Sequence, residues 1–192
     1  MNKKIKLVKE IESCTHCKDL LPHHPRPIIS FSPQSKIIII GQAPGVKVHQ
    51  SGVPWDDASG ERLRQWLNVS AEQFYDNRIF GIIPMGFCYP GKGKSGDLPP
   101  RPECAQLWMD KVLKKLQNVE LIILIGQYSQ KYFLKKQLKS NLTNTVKSWK
   151  EYLPQYVVLP HPSPRNNIWL KKNDWFDKKV IPDLQKRIQD II

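Results

Sequence analysis

The stretch KIIIIGQAPG occupies residues 36–45. Four consecutive isoleucines leave no polar face, so the run suits a strand buried on both sides rather than one with a wet face. The glycine after them ends the run, and Ala-Pro-Gly then makes a tight turn that brings backbone close to whatever lies beyond. Three more apolar runs read as strands: RIFGIIPMGF (78–87), ELIILIG (120–126) and YVVLP (156–160). Helical patterns fall between and after them. Residues 61–67 place Leu63, Trp66 and Leu67 on one face, with Ser59 expected as the cap. Residues 102–116 carry Cys104, Leu107, Trp108 and Leu113 at helical spacing. Residues 127–138 follow the third strand, and 176–191 keep Val180, Leu184 and Ile188 in register. Strands alternating with helices predict an α/β fold, a three-layer sandwich with a central, mostly parallel four-stranded sheet flanked by helices. Sites in such sheets form at the carboxyl ends of the strands. GQAPG, PMGFC and HPSPRN each follow an apolar run, so three unusual loops are expected at one edge.

The last of these loops is stiffened heavily. Pro160, Pro162 and Pro164 flank His161, and each fixes its own φ. A loop that only had to turn would need one proline or glycine. The chain has 192 residues, which suits one domain spanning 1–192, and 40% of them are hydrophobic. It shows no internal repeat or low-complexity stretch. No apolar run approaches the roughly 20 residues needed to cross a membrane. The N-terminal MNKKIKLVKE is basic but has neither a long apolar segment nor a cleavage site, so no signal peptide and a cytoplasmic location are expected. The net charge is +13, from 30 Lys and Arg against 17 Asp and Glu, and residues 126–150 hold six lysines and no acid. Such a field favours polyanions: nucleic acid first, an acidic membrane surface second. Charge alone is equally consistent with a plain basic surface.

The four cysteines are Cys14, Cys17, Cys88 and Cys104. Two disulfides do not suit a cytoplasmic protein. A C-x-x-C with two distant cysteines suits a tetrahedral metal site or an iron–sulfur cluster. A redox pair, or four unrelated buried thiols, remain open from spacing alone. His16 lies inside the C-x-x-C as a spare ligand or simply as exposed loop. His23 and His24 lack ligand spacing.

Taken together, these residues resemble the uracil-DNA glycosylase superfamily along most of the chain. GQAPG resembles its first catalytic motif and HPSPRN its second. The cysteines match the iron–sulfur branch, whereas HPSPRN is more similar to the single-strand-selective monofunctional branch. The resemblance implies a monofunctional glycosylase acting on DNA, single- or double-stranded; the sequence shows no clear oligomer interface, so a monomer is the default expectation. His161 would hydrogen-bond the leaving base. Gly41, Gln42, Ala43, Pro44 and Gly45 would line the base pocket, with Gln42 assisting catalysis, and Trp55 would stack on the flipped base. Ser163, Arg165 and Asn166 would enter or grip the DNA, and Lys92, Lys94 and Arg101 would meet phosphates. Cys14, Cys17, Cys88 and Cys104 would hold a structural 4Fe-4S cluster, with zinc as the alternative, stapling residues 1–35 and the loop between Cys88 and Cys104 to the domain.

Two departures bear on mechanism. The stretch VKVHQ after GQAPG has none of the acids that the iron–sulfur branch carries there, and Ala43 stands where another branch has a water-activating aspartate. Asp56 is the expected substitute, with Asp57 next and His49 third, although either aspartate suits a helix start as well. Related enzymes also read the uracil edge with an asparagine near 84–86, where this chain has Pro84, Met85 and Gly86. Backbone groups of Met85 and Gly86 are the expected readers. Uracil is the default base, with hypoxanthine and xanthine as alternatives. A catalytically silent nucleic-acid binder of the same fold and a zinc-stabilised enzyme acting on nucleotides are the competing readings.

Overall fold

A computed structural model describes residues 3–192. Helix α1 (Lys3–Glu12) sends Leu7 and Ile11 into the core, and strand β1 (Ile37–Ile40) follows. Next come α2 (Val46–Ser51), α3 (Ala58–Leu67), α4 (Ala71–Tyr75) and β2 (Phe80–Ile82). A small hairpin of β3 (Lys92–Gly93) and β4 (Gly96–Asp97) precedes α5 (Pro102–Leu113). The remainder is β5 (Leu121–Ile125), α6 (Gly126–Leu134), α7 (Leu142–Lys147), β6 (Tyr156–Leu159), α8 (Asn167–Lys172) and α9 (Ile181–Ile191).

Strands β1, β2, β5 and β6 form one sheet in the order β2-β1-β5-β6, and every pairing is parallel. This is the sheet expected from the alternating pattern. All four isoleucines of β1 are fully buried, as a central strand with both faces covered requires. The order reverses between β1 and β5, so the chain leaves these neighbours in opposite directions and opens a crevice above their carboxyl ends. A single apolar cluster runs from Leu7 in α1 through the sheet to Ile188 in α9.

Several expected boundaries shift for identifiable reasons. The second strand ends at Ile82, because Pro84 has no N–H to donate to a ladder. The antiparallel bridge between Ser30 and Ile82 lies on β2. The final helix does not run unbroken from residue 176. Residues Phe176–Val180 form a wide π turn in which the Ile181 N–H reaches back to the Phe176 carbonyl, and α9 begins only then. Pro182, placed in the first turn of α9, cannot continue a regular ladder from the preceding segment. The cap of α3 is Asp57 rather than Ser59: the Asp57 carboxylate accepts from the Gly60 N–H at 2.9 Å, while Ser59 is a buried residue of the helix itself.

Candidate active site

A cavity of about 400 Å³ opens at the carboxyl edge of the sheet. Residues 41–45 after β1, the hairpin, the segment before α3 and the turn after β6 all contribute to its wall. The loops expected to meet at one edge therefore do so for GQAPG and HPSPRN. From PMGFC only Pro84 reaches the cavity.

His161 stands on the wall, partly buried. Its Nδ1 accepts from the Ser163 backbone N–H at 3.2 Å, and its backbone carbonyl accepts from the Asn166 side-chain amide at 2.7 Å. With Nδ1 occupied as an acceptor, the proton of the neutral ring resides on Nε2. Burial pushes the imidazole below its ordinary 6.5, against the opposing pull of the Asp57 charge. The turn thus presents a neutral imidazole with one N–H left to donate.

Trp55 packs beside His161, ring centroids 5.6 Å apart and planes tilted by 33°. Its position rests on two close approaches. Trp55 itself adopts φ +58, a left-handed conformation uncommon for a bulky side chain. The chain can follow that turn only because Gly60 lacks a side chain: a Cβ there would lie 1.7 Å from the Trp55 carbonyl oxygen. The indole then lies over Gly41, where a Cβ would come within 2.9 Å of the ring. Gly41, Gln42, Ala43, Pro44, Gly45 and Trp55, all expected at the base pocket, line the cavity as a group.

Other expected residues lie elsewhere. Met85 is buried outside the cavity wall, and Gly86 lines a different cavity. Their N–H groups donate to the carbonyls of Gly41 and Gln42 at 3.0 and 2.9 Å, so they brace the first loop and have no donor left to read a base. Asp56 is exposed and off the wall, whereas its neighbour Asp57 is on it. His49 packs against His23 and Tyr89 instead, with ring centroids 5.4 and 5.8 Å away. Ser163 accepts from the Arg165 N–H at 3.3 Å, and the Arg165 guanidinium donates to the Ser95 carbonyl at 3.1 Å. The motif-two turn is therefore clamped to the hairpin, and the Asn166 amide closes the turn rather than projecting from it. Lys92 and Lys94 lie on that hairpin, Lys92 exposed and Lys94 at its tip. Arg101 pairs with Glu103 and lines the cysteine cavity rather than the cavity that His161 lines. The residue that sequence reasoning missed is Asp97, which lines the cavity at the carboxyl edge of the sheet. It is the sole acid in YPGKGKSGDLPPRP, and that solitary charge was the available signal.

Cys14, Cys17, Cys88 and Cys104 line one small, largely apolar cavity together with His16, Arg101 and Trp108. Burial pushes the Cys88 thiol up to about 11 and the Cys104 thiol up to about 12. The Phe87 N–H donates to the Cys104 sulfur at 3.3 Å. Among the described residues, no group of three or more His, Cys, Asp or Glu converges closely enough to hold a single metal ion.

Among the described residues, no helix is long and apolar enough to cross a membrane. A crystal structure of wild-type SMUG2 from Pedobacter heparinus is similar over 82% of this chain and 74% of its own, at 16% identity and a TM-score of 0.42. The profile of the Uracil DNA glycosylase superfamily matches residues 29–185, which takes in the sheet and both motif loops of the cavity wall. The chain accordingly belongs to the uracil DNA glycosylase superfamily, a group of DNA glycosylases.

Proposed function

We propose that the protein hydrolyses the N-glycosidic bond of a deaminated base in DNA, uracil before hypoxanthine or xanthine, after the nucleotide has flipped into the 400 Å³ cavity. The observation that carries this reading is the neutral imidazole of His161, its Nδ1 held by Ser163 and its Nε2–H free, standing beside the indole of Trp55. Bond cleavage leaves negative charge on the base oxygen and positive character on the sugar. A donor fixed in place before reaction stabilises that anion without reorganising during the reaction. The three prolines and the Asn166 amide supply that fixity. Trp55 offers a flat face for a base. With the N–H groups of Met85 and Gly86 already used, the Gln42 amide is the polar group best suited to read the base edge, since it can both donate and accept.

The reaction proposed is monofunctional: water, and not an amine of the protein, attacks C1′. The net charge of +13, with Lys92 and Lys94 on the hairpin beside the cavity, supplies the attraction to phosphate. Incubating the pure protein with uracil-, hypoxanthine- and xanthine-containing DNA, single- and double-stranded, and then cleaving abasic sites with alkali tests the proposal. Cleavage at one lesion supports it and identifies the base. Intact DNA at all lesions, with binding retained, favours a silent binder.

The cysteine cavity is proposed to hold a structural 4Fe-4S cluster, with zinc as the alternative, because all four cysteines line it. A bound cluster would hold Cys14 and Cys17 of the N-terminal segment to Cys88 and Cys104, and it supplies no step of a hydrolysis. The thiols raised by burial must lose their protons when a metal binds, so metal binding at this cavity weakens as pH falls. Cys14→Ala is expected to lower iron and labile-sulfide content together with thermal stability. A loss of even about 3 kcal/mol lowers Tm by roughly 6–12 °C in a chain of this size. Unchanged metal content and unchanged Tm would remove the cluster from the proposal.

A further inference from the structure

Hydrolysis needs a group that takes a proton from water as the base leaves, and the first motif supplies none. Two carboxylates nevertheless reach the cavity, Asp57 from the start of α3 and Asp97 from β4. They approach the same backbone point: a Cβ on Gly45 would lie 3.4 Å from Asp97 Oδ2 and 4.0 Å from Asp57 Oδ2. Among the described residues neither takes part in an ion pair. Unpaired negative charge at the mouth of a site meant for a polyanion weakens binding; the cap of α3 accounts for Asp57, so Asp97 is the one that calls for a chemical reason.

Their surroundings divide the roles. Asp57 has one oxygen committed to capping α3 through the Gly60 N–H. Asp97 is exposed and caps no helix, but it lies within hydrogen-bonding reach of the Tyr89 phenol, which burial first and then the Asp97 charge hold above its ordinary range. The hairpin bearing Asp97 is tied by the Arg165–Ser95 hydrogen bond to the turn bearing His161. Donor and acceptor thus share one cavity wall and are held to each other by one clamp.

Resting on the glycosylase reading above, we infer that Asp97 is the catalytic carboxylate that positions and deprotonates the attacking water. As the C1′–N bond breaks, its electron pair passes to the base, whose oxygen is held by the His161 Nε2–H. The water oxygen forms the new bond to C1′, and its proton passes to the Asp97 carboxylate and then to solvent or the departed base. Atoms and charge balance with water as the sole co-reactant.

The test is single-turnover base release from uracil-containing DNA by the full chain and its variants. Asp97→Asn is expected to lower the rate by at least about 100-fold, with DNA affinity unchanged or improved. Asp57→Asn, which preserves the helix cap, is expected to cost less than about tenfold. In Asp97→Ala, added formate is expected to restore part of the rate by replacing the missing carboxylate, a response that a merely structural residue would not give. Wild-type release with Asp97→Asn within twofold, or an Asp97→Ala rate that formate does not move, would overturn the assignment and leave the glycosylase reading standing. No release by the wild type at any lesion would overturn both.

Discussion

His161→Ala is expected to lower the rate of base release by about 10²–10⁴-fold while changing DNA affinity only a few-fold. The imidazole lines the cavity, so its loss should appear in the chemical step and not in binding. Its hydrogen bonds also set the pH dependence. Protonating Nδ1 would place a second donor against the Ser163 N–H, which now donates to it. Burial lowers the folded-state pKa below 6.5, so in the window beneath 6.5 the unfolded chain binds the proton first. The group's contribution to stability is therefore complete above 6.5 and falls as pH drops through that window. Activity should persist below 6.5 for the same reason, because the ring stays neutral there. Single-turnover rates between neutral pH and the acid limb check both points. A His161→Ala enzyme as fast as the wild type would remove this residue from the chemistry.

Gly60→Ala is expected to disable the site from a distance. A methyl group 1.7 Å from the Trp55 carbonyl cannot be accommodated by a flexible neighbour, since the obstructing atom is backbone. Either α3 or the left-handed turn at Trp55 must move. Overpacking of this kind costs about 1–3 kcal/mol, and in a chain of this size that lowers Tm by roughly 2–12 °C. The larger consequence lies in the cavity. Displacing the indole by even about 1 Å can cost 100-fold in rate, and Trp55 packs on both Gly41 and His161. Thermal unfolding and base release measured on the same preparation separate the two effects. Wild-type values for both would show that the turn is not braced as described.

The sheet was legible because its strands are buried on both faces. KIIIIG, ELIILIG and YVVLP leave no alternation that could be mistaken for a half-wet strand, and each became a strand within a residue or two of its run. The short elements carried weaker signals. Helices α2 and α4 and the hairpin strands span two to six residues each, too few to show a period, and tertiary contacts decide them. Two adjacent aspartates hid the choice between Asp56 and Asp57. The N-cap geometry turns one inward and leaves the other in solvent, and composition cannot say which. Met85 and Gly86 stand where base readers were expected, but their N–H groups were spent on Gly41 and Gln42, a backbone fact that side-chain identity does not report. Asp97 offered only its solitary charge as a signal. An acid in a glycine- and lysine-rich loop is ordinary, and only the fold of the hairpin brings it to the cavity that His161 lines.

The most direct measurement is detection of the free base itself. The full chain would be incubated with uracil-containing DNA, and the small-molecule fraction and the DNA would be analysed by mass spectrometry. Hydrolysis at C1′ with His161 as the donor requires free uracil and an intact strand with an abasic site in equal amounts, both lost in His161→Ala. Strand cleavage without free base, or bound but unaltered DNA with uracil, hypoxanthine and xanthine alike, would contradict it.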